Sequence, residues 1–190
     1  FDRDGEREKR TPLAVLAGWT LAVEGHTSEA RRWLASATRS TDPAAMPDGA
    51  GKEAWIALLR GFMAPYGADA LMADACAGLE GISPDSPFRQ TALILGGFAH
   101  ITSGATDAAD QLLGEAVKLS ESRKSIPGLT LALGERALLA ISRGDMAAAA
   151  EHVERGLAIA HDAGTEDETP SIALHAAAAH GWSSTVRVLA

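Results

Sequence analysis

The sequence predicts an all-α chain, a right-handed solenoid of about five antiparallel helix hairpins. The main observation is a recurring register in which a Gly is followed by Ala five residues on, a large apolar residue nine on and a small residue twelve on. The seventh residue before each of these glycines is also small. This register indicates one helix that ends at the glycine and a second that packs back against it. The three copies are Gly25/Ala30/Leu34/Ala37, Gly104/Ala109/Leu113/Ala116 and Gly144/Ala149/Val153/Gly156.

Helix starts divide the chain in the same way. A hydroxyl residue that can cap a helix precedes a proline at Thr11-Pro12, Ser86-Pro87 and Thr169-Pro170. Gly67 and Gly181 supply the remaining turns, and no stretch shows the sustained alternation of a strand. We therefore expect a single helical-repeat domain over 1–190, a fragment of a longer chain, with hairpins at about 11–40, 52–80, 86–121, 127–163 and 169–190.

The register is that of a tetratricopeptide repeat. The turn glycines recur about every forty residues, whereas the ordinary tetratricopeptide unit has about 34. We therefore expect a tetratricopeptide-like fold with longer helices or longer linkers than the standard unit.

Composition limits the classes of partner. The net charge of −8 argues against direct binding of nucleic acid, and no apolar run is long enough to span a bilayer. The single cysteine, Cys76, falls within an apolar pattern, which predicts a small buried residue and, with no second cysteine, a reducing cytoplasm.

Catalytic motifs are absent from the sequence. The stretch from Asp48 to Glu53 partly matches a phosphate loop, but Met46 stands where the first glycine is required, and Glu53 replaces the hydroxyl residue after Lys52. The closest histidine pairs are nine and five residues apart, unlike the i, i+4 spacing of two metal ligands on one helix face. We expect no enzymatic activity, no metal and no cofactor in this fragment.

Several segments resemble the helical-repeat region of large ATP-binding LuxR-family transcriptional regulators, the class of the maltose activator. The resemblance covers residues 11 to about 160. The segments that carry it are TPLAVLAGW from Thr11, EARRWL from Glu29, WIALLR from Trp55, SPDSPFR from Ser83 and LLGEA from Leu112.

The resemblance implies a sensor and interaction domain. In that family the repeats bind an effector or a regulatory protein and relay it to ATP-binding and DNA-binding domains, which here would lie elsewhere in the parent protein. A stand-alone tetratricopeptide-like scaffold that binds a peptide or protein is the alternative. The partner is an unknown effector or protein, and a homo-oligomer stays open.

A mostly apolar groove is the candidate binding site. The first helix of each tetratricopeptide pair lines the inner groove, and here the corresponding positions are largely apolar. We expect the groove to accept an apolar ligand or partner helix, or to close as ordinary core. Its candidate residues are Trp19, Ile94, Phe98 and Leu138, with Arg60, Arg89, His100 and Arg136 as polar contacts and Gln90 and Glu135 nearby.

Overall fold

The structure, a computed structural model, describes residues 10–42, 46–63 and 67–165. In these ranges every regular element is an α-helix, which confirms the all-α class, while the handedness of the solenoid stays a prediction. The fifth predicted hairpin, 169–190, lies outside the described residues, as does its turn at Gly181. The helices are α1 (Thr11–Val23), α2 (Thr27–Arg39), α3 (Lys52–Met63), α4 (Ala68–Gly81), α5 (Arg89–Thr102), α6 (Thr106–Ser122), α7 (Ile126–Ser142) and α8 (Met146–Ala163).

The chain divides into two compact units, Phe1–Leu95 and Gly96–Ala190. In the first unit α1 packs against α2, α3 packs against α4, and α3 also contacts both α1 and α2. In the second unit α7 packs against both α6 and α8. The expectation of a single domain over 1–190 stays a prediction.

The turn glycines lie where the register predicts them. Gly25, Gly67, Gly104 and Gly144 each stand between two helices, with φ of 82°, 86°, 78° and 76°. A side chain disfavours this left-handed conformation, so glycine is the residue of choice here. At three of these turns the preceding helix ends in a Schellman motif. After α7, for example, the amide of Gly144 donates to the carbonyl of Ile141 (2.9 Å), and the amide of Asp145 donates to the carbonyl of Ala140 (2.9 Å).

Small residues sit where paired helices approach. Ala109 is inaccessible to solvent, and Ala149 is 4% exposed, as expected for close-contact positions of a second helix. A Cβ added to Gly97 of α5 would lie only 2.5 Å from Cγ of Leu113 in α6. The two helices of this pair are therefore as close at this point as a glycine allows.

Three sequence expectations about local structure are wrong. The helix expected to begin at Pro87 begins at Arg89 instead. Thr11 does not cap α1, because it is the first helical residue, and its amide donates instead to Oδ2 of Asp42 at 3.2 Å. Cys76 is exposed rather than buried, because it lies one position off the inward stripe of α4 formed by Leu71, Ala75 and Gly78. By contrast, α8 does begin with a side-chain cap, since Oδ1 of Asp145 accepts the amide of Ala148 at 3.0 Å.

Candidate functional site

Trp19 belongs to an aromatic cluster in the first unit. Its ring centroid lies 5.2 Å from that of Phe62 and 6.1 Å from that of Phe88, and Phe88 in turn lies 3.9 Å from Trp55. Trp19 is 8% exposed and Trp55 is 1% exposed. Ile94 is also buried, at 6% exposure. The two apolar groove candidates in this unit, Trp19 and Ile94, are therefore packed side chains with little surface left for a ligand.

A hydrogen-bonded aspartate ties the loop before α3 to the segment before α5. Oδ1 of Asp48 accepts the indole N–H of Trp55 at 3.0 Å and the amide of Ala50 at 3.1 Å, and Oδ2 accepts the hydroxyl of Ser86. Burial opposes ionisation of Asp48, but the hydrogen bonds outweigh it and hold the pKa of this carboxyl below its ordinary value. This arrangement, which we call the Asp48 latch, fixes the aromatic cluster from one side.

The loop that partly matches a phosphate loop makes protein contacts. The ammonium group of Lys52 donates to the carbonyl of Ser40 at 2.6 Å, close to the C-terminal end of α2. This contact satisfies a carbonyl that the helix leaves without an intrahelical partner. Lys52 therefore has a structural partner inside its own unit.

Two arginines predicted as ligand contacts join elements of the first unit. Nε of Arg60 lies 2.9 Å from Oδ1 and 2.8 Å from Oδ2 of the buried Asp74, which pairs α3 with α4. Arg89 donates from Nη1 to the carbonyls of Leu79 (2.7 Å) and Ile82 (3.2 Å) at the end of α4. Both guanidinium groups hold helices in place, while the shielded Nε of Arg89 has no hydrogen-bond partner in the described residues.

The apolar candidates of the second unit are more accessible. Phe98 of α5 and Leu138 of α7 are half-buried. Leu138 packs beside Ile141 against the buried pair Ala137 and Val153. A partly accessible apolar side chain can still lose surface to a ligand, whereas a fully buried one cannot.

Ion pairs connect α6 with α7 in the same unit. Arg136 donates to Oδ1 of Asp110 at 3.1 Å, and Arg143 contacts Oδ2 of Asp110 (3.5 Å) and Oδ1 of Asp107 (3.0 Å). Burial lowers the pKa of His152 on α8, and the nearby Arg136 guanidinium lowers it further. The Nη2 group of Arg136 is thus already engaged by a carboxylate.

Shielded polar atoms without a hydrogen-bond partner in the described residues occur on four side chains of this unit: His100, Ser120, Glu135 and Arg136. Nδ1 of the half-buried His100, in the last turn of α5, has no hydrogen-bond partner within the described part of the chain. Oε2 of Glu135, on α7, is likewise shielded and without a partner there. Burial raises the pKa of Glu135 to about 7. Nε of Arg136, on the same helix, is also shielded and has no hydrogen-bond partner in the described residues.

The eight predicted groove residues fall into both compact units. Trp19, Arg60, Arg89 and Ile94 belong to the first, and Phe98, His100, Arg136 and Leu138 to the second. A single groove that uses all of them stays a prediction. Sequence reasoning missed the ring partners Phe62 and Phe88 of Trp19. It had no signal for the Asp48 latch, because Asp48 and Ser86 are 38 residues apart.

Searches of the described residues give two further findings. No group of three or more His, Cys, Asp or Glu side chains there is arranged to hold a metal ion. None of the helices there combines the length and apolar character needed to cross a bilayer. Comparison of the chain with protein-family models, curated proteins and solved structures finds no match.

Proposed function

We propose that this chain is the sensor and interaction module of a LuxR-family transcriptional regulator. It binds an effector or protein partner in the cytoplasm and relays that binding to ATP-binding and DNA-binding domains of the parent protein. It carries out no chemical step and needs no cofactor of its own. The sequence resemblance supports the assignment to this family. The successive helix pairs with glycine turns support a binding role, since stacked helix pairs serve as binding scaffolds.

One observation carries the binding role. In the second unit Leu138 of α7 lies one helical turn from Glu135, whose Oε2 is shielded, and Phe98 of α5 is, like Leu138, half-buried. Ligand sites are mostly apolar with a few polar groups that orient the ligand, and these three side chains are of those types. The first unit offers a weaker case, because Trp19 and Ile94 are already buried.

Relay requires that the ligand discriminate between two states of the chain. A ligand with equal affinity for both states shifts neither, however tightly it binds. Helix pairs that contact their neighbours through small residues provide a physical basis for such states, because small shifts of packed helices alter whole interfaces.

A thermal-shift screen tests the proposal. The purified chain is heated with soluble effectors such as sugars, amino acids and amphiphiles, and separately with amphipathic helical peptides. A ligand whose free concentration is 100 times its Kd stabilises the folded chain by about 2.7 kcal/mol, which raises Tm by several degrees. Phe98→Asp should abolish the shift, whereas Leu13→Asp, at an exposed leucine of α1, should retain it.

The outcomes separate the alternatives. Circular dichroism first shows that the Phe98→Asp variant is folded, and Phe98→Ala replaces it if it is not. A ligand that stabilises the Phe98 variant as much as the parent would contradict the assignment of the site. A reading frame around this chain without a phosphate loop and a LuxR-type helix-turn-helix would contradict the regulator and favour the stand-alone scaffold.

A further inference from the structure

Helix α1 is apolar on all of its sides. It carries no charged side chain between Thr11 and Val23, whereas its partner α2 exposes Arg31 and Arg32. A helix of this composition is normally enclosed by protein. Helices α2 and α3 pack against α1, yet Leu13 remains 46% exposed and Val23 43% exposed, the two large apolar side chains that are exposed in the described part of the chain. Part of α1 therefore lacks the cover that its composition calls for.

The uncovered part of α1 contains a stripe of residues with palindromic spacing. The stripe consists of Arg10, immediately before the helix, Leu13, Ala17 and Leu21 within it, and Glu24, immediately after it. Successive steps of three, four, four and three residues place these positions within about 80° of one another around the helix. Arg10, Leu13 and Glu24 are exposed, and Ala17 and Leu21 are half-buried. We call these five residues the α1 stripe.

The α1 stripe is complementary to a second copy of itself. When two copies of α1 lie antiparallel with Ala17 at the two-fold axis, Leu13 of one copy lies opposite Leu21 of the other. The same register places Arg10 opposite Glu24, and the symmetry produces this pair twice. Leucines thus meet on both sides of a small alanine, which lets the helices approach closely, and opposite charges meet at both ends. A parallel pair in register would instead place each charge opposite its like.

We propose that α1 is a dimer interface, and that a second copy of this chain docks on the α1 stripe as an antiparallel helix pair centred on Ala17. The charges favour this occupant, because the two-fold axis itself brings each end of the stripe against the opposite charge. One helix face is small beside the area of about 800 Å² per partner in a standard interface, so the dimer is weak, with a micromolar Kd. The inference goes beyond the proposed function, since the stripe lies in the first unit and the proposed effector site in the second.

Sedimentation equilibrium of the full chain measures the dimer directly. Loading concentrations run from about 1 to about 500 μM, a range that covers a micromolar Kd. Leu13→Asp sets a carboxylate without a partner against apolar side chains of the second copy, so it should raise Kd at least about tenfold. Val23→Asp is the matched control, because Val23 is 43% exposed on the same helix but lies about 120° from Ala17 around it. Circular dichroism first shows that both variants are folded.

Charge reversal tests the antiparallel register. Arg10→Glu and Glu24→Arg each place two pairs of like charges across the interface, so at low salt each should raise Kd by about tenfold. The double variant Arg10→Glu/Glu24→Arg restores both pairs with their signs exchanged. It should therefore return Kd to within about twofold of the parent value.

The outcomes distinguish a second copy from other occupants. A parent chain that is monomeric at every concentration, or a dimer that persists in Leu13→Asp, would overturn the inference. Single reversals that the double variant does not rescue would contradict the antiparallel register. A monomeric parent that binds an amphipathic helical peptide, and loses it in Leu13→Asp, would assign the stripe to a foreign helix instead. The thermal shift caused by an effector should persist in Leu13→Asp, so failure of the dimer and failure of the proposed function are separate results.

Discussion

Replacing Gly97 with Ala should destabilise the second unit although alanine is the better helix former. The new Cβ would lie 2.5 Å from both Cγ and Cδ2 of Leu113. Leu113 is inaccessible to solvent and packs with Ala109, Leu139 and Ile101, so its branch point cannot move aside. Overpacking of this kind costs about 1–3 kcal/mol, while the helix propensity of alanine returns about 1 kcal/mol.

Gly114→Ala in α6 is the matched control. A Cβ there meets nothing within 4 Å, so only the propensity gain of about 1 kcal/mol remains. Because this gain cancels between the two variants, their stabilities should differ by about 1–3 kcal/mol. Urea denaturation of the full chain, followed by circular dichroism, measures this as a difference in midpoint of about 1 M. A Gly97→Ala variant as stable as Gly114→Ala would refute the close packing of α5 on α6.

Three further predictions concern the loop before α3 and the carboxyl of α7. Asp48→Ala leaves the indole N–H of Trp55 and the hydroxyl of Ser86 without their acceptor, so it should cost about 1–3 kcal/mol; an unchanged denaturation midpoint by tryptophan fluorescence would argue against the Asp48 latch. The folded chain holds the proton of Glu135 more tightly than the unfolded chain, so the parent should lose stability as pH rises from 4.5 through about 7. Glu135→Gln should therefore match the parent at pH 4 and exceed it by about 1–3 kcal/mol at pH 8, and parallel pH profiles would contradict the raised pKa. The purified chain should hydrolyse no ATP, because the ammonium group of Lys52 is bound by a main-chain carbonyl; turnover in a coupled assay that is lost in Lys52→Ala would show the reverse.

The helix pairs could be predicted from sequence because their determinants are local. A glycine turn needs one residue with positive φ. The alanine at the close contact follows that glycine by only five residues, as in Gly25/Ala30 and Gly104/Ala109, so the sequence shows both together. The same reasoning failed at Thr11. Its capping partner Asp42 is 31 residues away, and a side chain at that distance leaves no local pattern.

The site was less accessible to sequence reasoning because burial is a tertiary property. Trp19 and Phe98 each lie six residues before a turn glycine, so the sequence treats them alike. In the structure Trp19 is 8% exposed, whereas Phe98 is half-buried. The aromatic rings of Phe62 and Phe88 make the difference at Trp19. The roles of Arg60 and Arg136 likewise depend on Asp74 and Asp110, which the helix packing places opposite them.

The central proposal is that an effector binds the second unit at half-buried side chains of α5 and α7. Hydrogen–deuterium exchange of the full chain, with and without the ligand that stabilises it most, tests this directly. Binding should slow exchange in peptides covering residues 96–102 and 126–142, which contain Phe98, Glu135 and Leu138. Protection confined to the first unit, around Trp19, or to the glycine turns would contradict it.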